Sequence, residues 1–311
     1  MPILDVRHAT TYRYKQAVGF SEHRVMCRPR DSRDQRLLAS SLLISPEPAE
    51  LHWMLDVFGN NVAVARFEGR ARELRFESTL RVDHQPAGAP DRWIAEQART
   101  YPFSYDAEEM PDLSRCIERH HRDPNRAVDR WARRFLRDNG PTDTARMLAD
   151  MTGAVRERFT YIRRDERGVQ EPAETLHLGS GTCRDFAVLM MEAVRSLGLA
   201  ARFVSGYLHH PRRSAELRQG GGATHAWVQV YLPGAGWVEY DPTNAIVGGR
   251  DLVRVAVARE PRQALPLSGS YRGFPDDSLG LSVEVRVSEA PPEAPPPFED
   301  VPVPGRAPPP A

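Results

Sequence analysis

Lysine is nearly missing from this chain: Lys15 is the single example, and arginine supplies the rest of the 42 basic residues. The protein therefore offers few amines for modifying itself. Cysteine is scarce as well, with only Cys27, Cys116 and Cys183. An odd set of three without a CxxC pair makes neither a disulfide framework nor a zinc site. Net charge of either sign is absent, because 42 acidic residues balance the basic ones. A nucleic-acid partner would need a clustered basic excess, so none is expected. No run of about 18 apolar residues occurs, and no membrane span is expected. Met1 to Phe20 carries Asp5, Arg7, His8, Arg13 and Lys15 in place of an apolar stretch, so no signal peptide is expected either. A cytoplasmic location follows as the expectation, and there a cysteine is free, catalytic or buried rather than bridged.

What is present suits a packed globular protein. The 311 residues are 41% hydrophobic and 27% charged, enough for roughly two domains. Residues 1–88 read as an N-terminal β unit. Alternation runs through Asp5–Tyr14, Leu37–Ser45, Leu51–Val57, Asn61–Phe67 and Leu74–Val82, with turn residues between, which predicts an antiparallel sandwich. Residues 89–158 change to helical spacing. One helix is expected over Asn125–Asn139 and a second over Thr142–Phe159, and Asp106–Asp112 reads as a solvated loop. Residues 159–287 form the expected core, with a helix from Thr182 to Leu197 and strands at Ala201–Tyr207, His225–Leu232, Trp237–Asp241 and Leu281–Val287. From 288 to 311 proline dominates, and a disordered or extended tail is expected. The fold class is α+β.

The chemistry concentrates around Cys183. In Gly179-Ser180-Gly181-Thr182-Cys183-Arg184-Asp185-Phe186-Ala187, the apolar positions Ala187, Met190, Met191, Val194 and Leu197 continue from Cys183 on one helical face. Thr182 and Asp185 have capping-box spacing, so Cys183 falls in the first turn of a helix and Asp185 reads as its cap. A free thiol titrates near pH 8.5 and only the thiolate is a strong nucleophile; the N–H groups and dipole of a helix start favour that anion. The same N–H groups can hold an oxyanion. Gly179 and Gly181 would let a substrate approach the backbone. A partner imidazole is needed, and among ten histidines His225 is the one opening a strand, Thr224-His225-Ala226-Trp227-Val228. A turn at Pro233-Gly234-Ala235-Gly236 makes that strand a hairpin with Trp237-Val238-Glu239-Tyr240-Asp241. The hairpin can bring Asp241 beside His225, where a carboxylate would orient the ring. Asn244, three residues on, is the alternative orienter. Cys27 and Cys116 read as inert, and the adjacent pairs His120-His121 and His209-His210 as poor metal sites.

Taken together, Gly181-Thr182-Cys183-Arg184-Asp185-Phe186-Ala187, His225-Ala226-Trp227-Val228 and Trp237-Val238-Glu239-Tyr240-Asp241-Pro242-Thr243-Asn244 resemble, in this order, the core of the transglutaminase-like superfamily of papain-like cysteine enzymes. The likeness covers residues 150–250, and the N-terminal β region resembles the accessory domain of bacterial members. The resemblance implies Cys183 as nucleophile, His225 as general base and acid, Asp241 as orienting partner, and a thioester acyl-enzyme. It points to Tyr161 as an oxyanion donor. Trp227, Gly181 and Thr224 are expected around the substrate pocket, and Leu208–Ala223 is a candidate lid. No acidic calcium loop is seen, and neither a metal nor a cofactor is expected. The function these features suggest is a thiol-dependent protease or amidase acting on a peptide or amide substrate. Acyl transfer to an amine is the second reading, and a non-catalytic binding scaffold of the same fold is the third.

Overall fold

Residues 2–86, 90–164, 168–209 and 223–290 are described in the structure, a computed structural model. Period-two alternation builds β1 (Ile3–Phe20), β2 (His23–Val25), β3 (Gln35–Ser45), β4 (Glu50–Leu55), β5 (Asn61–Arg66) and β6 (Arg70–His84). A connecting region follows with β7 (Thr100–Tyr101), α1 (Met110–Ile117), α2 (Ala127–Arg133), β8 (Thr142–Asp143) and α3 (Thr144–Arg158). Then come β9 (Thr160–Tyr161), α4 (Pro172–Leu178), β10 (Ser180–Gly181) and α5 (Cys183–Ser196). The strands β11 (Ala201–Leu208), β12 (His225–Leu232), β13 (Gly236–Asp241), β14 (Ile246–Val247) and β15 (Leu252–Ala258) precede the short β16 (Leu267–Ser268) and β17 (Tyr271–Arg272), and β18 (Ser278–Glu289) is the last.

Two antiparallel sheets form the N-terminal sandwich. One has the order β17-β1-β6-β3 with β18 also on β1, and the other β16-β2-β5-β4. Tyr14, Val18, Phe20, Val25, Leu74 and Phe76 fill the space between them together with Ala63 and Ala65 of β5. The intervening β5 residues, Val62 and Val64, join the larger core around α5. Both faces of β5 are therefore covered, which is why it reads Val-Ala-Val-Ala without a polar alternate.

The second core is the antiparallel sheet β14-β13-β12-β11-β15 with α5 against β11 and β12. Apolar residues alone would leave α5 amphipathic, yet it is buried on nearly every side, from Phe186 to Arg195. The charges this traps are paired: Arg195 Nη1 donates to Glu192 Oε1 at 2.9 Å, and Nη2 donates to the carbonyl of Ala201. The opposite face of the sheet meets the N-terminal sandwich through Tyr207, Val253 and Val255 against Leu4, Val6, Leu80, Val82 and Val285. The sheet thus lies between α5 and the sandwich.

Several elements differ from the sequence expectations. The strand at Leu281–Val287 does not extend the core; it belongs to β18, which pairs antiparallel with β1 from Leu4↔Glu289 to Tyr14↔Ser278. The 18-residue β1 has a free edge longer than β17 can cover, and the alternating valines of β18 match it. Ser288 and Glu289, expected in the tail, complete this strand, and 291–311 lie outside the described residues. The helix expected over Asn125–Asn139 is only α2. The Asp123 carboxylate accepts from the backbone N–H of Ala127, Val128 and Asp129 and so fixes the start, while Arg126 turns at φ 50. Beyond Arg133 the bonds tighten to three-residue spacing, as in Phe135 N–H to the Ala132 carbonyl. The region read as the Asp106–Asp112 loop contains the first turn of α1, and α4 lacked any periodic signal because it has only seven residues.

Candidate active site

Cys183 opens α5 and is 7% exposed. The capping box forms as the sequence predicts: Asp185 Oδ2 accepts from the Thr182 backbone at 2.8 Å, and Thr182 Oγ1 accepts from the Asp185 backbone at 3.5 Å. Asp185 does more than cap. Its Oδ1 accepts from the Gln170 backbone at 2.7 Å and from Arg164 Nη1 at 2.9 Å, so one fully buried carboxylate ties three segments around the cysteine loop. The loop is held from the other side by parallel pairing of β10 with β9, Ser180 opposite Thr160 and Gly181 opposite Tyr161. Gly179 ends α4 in the left-handed region at φ 61.

Gly181 was expected to admit substrate, and packing gives it a different reason. A Cβ there would lie 2.9 Å from Asp185 Cβ and 3.0 Å from Gln170 Oε1, so only glycine lets the loop close on the Asp185 hub. Tyr161, its β9 partner, is half-buried and close enough to Cys183 to feel its charge. Burial and then the charge of Cys183 push its phenol up to about 12, which keeps it a hydrogen-bond donor at neutral pH.

His225 starts β12 opposite Gly206 of β11 and is 1% exposed. Its Nε2 lies 2.8 Å from Asp241 Oδ2, at the end of β13. Asp241 has no exposed surface; its Oδ1 accepts from the Thr243 backbone at 2.9 Å, and Asn244 Nδ2 donates to Oδ2 at 2.8 Å. Asn244 Nδ2 is also 3.4 Å from His225 Nε2. Since Asp241 can only accept, Nε2 carries the proton, and Asn244 is a second donor to the same carboxylate rather than a rival orienter. The turn that returns Asn244 over Asp241 needs Ala245 in the left-handed region at φ 54.

With Nε2 so engaged, Nδ1 is the ring nitrogen turned away from Asp241. It is buried and has no partner of full hydrogen-bond geometry among the described residues. Burial pulls the His225 pKa down, but the charge and hydrogen bond of Asp241, reinforced by hydrogen bonding and charge from Cys183, raise it to about 10. Cys183 contributes to that rise, although Nδ1 makes no hydrogen bond of full geometry among the described residues. Loose contacts of this kind tighten when substrate binds. Burial works against the Asp241 carboxylate, and the neighbouring imidazolium overcomes it and holds the group below its ordinary value.

Trp227 is not a pocket wall. It has no exposed surface, packs with Val204, Leu208 and Leu252, and gives its indole N–H to Glu239. Strand alternation explains this, because Trp227 lies on the sheet face opposite the Ala226 and Val228 positions that meet α5. Thr224 is half-buried directly before His225, and the candidate lid falls largely on 210–222, outside the described residues. Two cavities lie elsewhere: one of about 810 Å³ is lined by Arg92, Arg99, Arg146 and Val247, and one of about 280 Å³ by Tyr105, Glu109 and Gly234. Burial pushes the Cys27 thiol up to about 12 and raises that of Cys116, so neither is an activated thiolate. The Asn244 donor and the reach of Asp185 were missed from sequence; the Asx-rich turn after Asp241 was the available signal for the first, and nothing local marks the second.

The profile of the bacterial transglutaminase-like N-terminal region matches residues 4–83, and that of the transglutaminase-like superfamily matches residues 129–242. An uncharacterized protein of Mycobacterium tuberculosis is 30% identical over 294 residues, covering 90% of this chain and 91% of its own. A protein-glutamine gamma-glutamyltransferase of Pseudomonas aeruginosa is 33% identical over 78 residues, which are 23% of this chain and 11% of that one. A crystal structure from Cytophaga hutchinsonii, described as a candidate cysteine protease, superposes with a TM-score of 0.69 at 20% identity, covering 94% of this chain and 92% of that chain. The chain belongs to the transglutaminase-like superfamily, in the bacterial form that carries an N-terminal β region before the core.

Proposed function

We propose that the protein is a thiol-dependent hydrolase of peptide or amide bonds, with Cys183, His225 and Asp241 as its triad. The observation that carries this reading is the setting of His225: Nε2 is fixed on Asp241, Nδ1 is buried without a hydrogen bond of full geometry among the described residues, and Asp241, followed by Cys183, raises the ring pKa to about 10. His225 Nδ1 already holds the thiol proton in a thiolate–imidazolium pair, and the Cys183 Sγ anion attacks the substrate carbonyl. The tetrahedral oxyanion is met by N–H groups at the start of α5 and by the Tyr161 hydroxyl. Collapse breaks the C–N bond, and His225 gives its proton to the leaving amine. Water then attacks the thioester with Nδ1 as base, releasing the free acid and restoring the thiol.

The test is amine release from a panel of acylated peptides and amides by wild type and by Cys183→Ala and His225→Ala. Turnover in wild type and its loss in both variants is the expected result; equal rates in all three would sink the proposal. Acyl transfer to an amine is the second reading, favoured by the likeness to the gamma-glutamyltransferase. It differs only in what reaches the thioester, so an added primary amine decides it: an isopeptide product means transfer, and free acid alone means hydrolysis. We place the protein in the cytoplasm because an unpaired nucleophilic cysteine suits a reducing compartment. Cell fractionation tests that placement, and recovery outside the cytoplasm would overturn it.

A further inference from the structure

Behind the histidine, on the sheet face opposite α5, stands a line of buried polar side chains that the proposed reaction does not use. Trp227 lies against His225 with ring centroids 5.9 Å apart and planes inclined by 29°. Its far edge is equally confined: a Cβ on Gly206 would lie 2.7 Å from Trp227 Cη2. The indole N–H donates to Glu239 Oε2. Glu239 Oε1 accepts from Gln229 Nε2 at 2.6 Å and from Arg254 Nη1. Arg254 in turn donates from Nη2 to Asp34 Oδ1 at 2.8 Å and to Ser32 Oγ at 2.9 Å. Gln35 binds the same residue's backbone on both sides, accepting from its N–H at 3.1 Å and donating to its carbonyl at 2.6 Å. Asp34, Ser32 and Gln35 belong to the N-terminal β region, whereas Arg254, Glu239 and Trp227 belong to the core.

The arrangement is difficult to explain as packing alone. The Glu239 side chain is only 6% exposed, and an aliphatic residue there would avoid burying a carboxylate. A carboxylate is tolerated because it receives an indole N–H, an amide N–H and a guanidinium at once. What it gains is a fixed indole, since a fully buried Trp227 has one polar handle and Glu239 holds it. The indole is the plane on which the imidazole rests. His225 is held at Nε2 by Asp241, but one hydrogen bond leaves rotation about that bond open. A second constraint on the ring face removes it, and the position of Nδ1 relative to the sulfur depends on that rotation.

We propose that Glu239 is a positioning residue that acts on His225 through Trp227, and that Arg254 and Asp34 make the N-terminal β region part of this positioning. This rests on the triad reading above. It assigns the N-terminal region a role in the chemistry of the core: the register of a strand-edge aspartate sets the angle of a histidine four side chains away.

The experiment measures Cys183 alkylation by iodoacetamide, by peptide mapping across pH, in the full chain. The variants are Glu239→Gln, Trp227→Phe, their double, Asp34→Asn and His225→Ala, each with its thermal midpoint. In wild type, labelling of Cys183 depends on His225. Glu239→Gln and Trp227→Phe are each expected to slow it about tenfold or more, on the sensitivity of such contacts to small misplacement. The double variant should be no slower than the worse single, because both break the same link. Asp34→Asn, isosteric and at a partly exposed position, should slow labelling to a smaller degree and leave the thermal midpoint near wild type. Unchanged labelling in folded Glu239→Gln and Asp34→Asn, effects that multiply in the double variant, or slowing that only follows the unfolded fraction would overturn the inference. Wild-type labelling indifferent to His225→Ala would instead remove the triad reading itself, and this inference with it.

Discussion

Both oxygens of Asp241 are occupied by donors, and the histidine owes its charge to that carboxylate. In Asp241→Asn the burial that lowers the His225 pKa remains while the charge that raises it is gone. The imidazole pKa should therefore fall well below 10, read from the ring nitrogen shifts of labelled protein. An unchanged value would show that Asp241 does not set it. Alkylation of Cys183 should drop by about 10²–10⁴-fold, the range for loss of a placed acid–base partner. The sign of the stability effect can be worked out. His225 has a raised pKa, so its contribution is complete below the unfolded value near 6.5 and is lost as pH rises through about 10. Asp241 has a lowered pKa, so its contribution is complete above its unfolded value near 3.9 and is lost as acid is added. The stability gap between wild type and Asp241→Asn in denaturant titrations should be widest between about pH 4 and 6.5 and shrink toward alkaline pH. A gap that keeps growing as pH rises above about 6.5 would contradict the pairing.

At the scale of elements, the start of α5 depends on the glycine and carboxylate that lock its loop. Gly181→Ala sets a Cβ against Asp185 and Gln170, and an overpacked site of this kind costs about 1–3 kcal/mol. Asp185→Ala removes the buried acceptor of the Gln170 and Thr182 backbone N–H groups and of Arg164 Nη1, at about 3–5 kcal/mol. Denaturant midpoints should order wild type, then Gly181→Ala, then Asp185→Ala. Equal midpoints for Asp185→Ala and wild type would mean that the hub is not assembled. The motif predicted the helix start and its cap, because both are encoded within four residues. It did not predict the reach of Asp185 to Arg164 and Gln170, because those partners lie 21 and 15 residues away and share no pattern with it.

Over the whole molecule, the last strand closes the first domain. β18 covers the edge of β1 and contributes Val285 to the contact between the sandwich and the core sheet. A chain ending at Asp277 should lose its cooperative melting near the wild-type temperature and expose the unpaired edge of β1, with aggregation as the visible result. An unchanged midpoint in a monodisperse sample would show that β18 adds nothing to the fold. The same geometry means that the N-terminal region does not end where its sequence block ends, since residues some 200 positions later complete it.

The sequence by itself determined where Cys183, His225 and Asp241 stand, because each lies at an element boundary marked by local chemistry: a capping box, a strand start after glycines, and the end of a hairpin whose turn sets the register. It also determined the sandwich, through period-two alternation. Tertiary structure alone decided which sheet β18 joins, since an alternating strand carries no address and pairs wherever an edge of matching length is free. It alone decided that Trp227 is buried and that Glu239 is an inward carboxylate. In Trp237-Val238-Glu239-Tyr240-Asp241, alternation marks Glu239 as facing away from α5, and only the sandwich packed on that face, with Asp34 and Arg254 to balance the charge, makes the position an interior one.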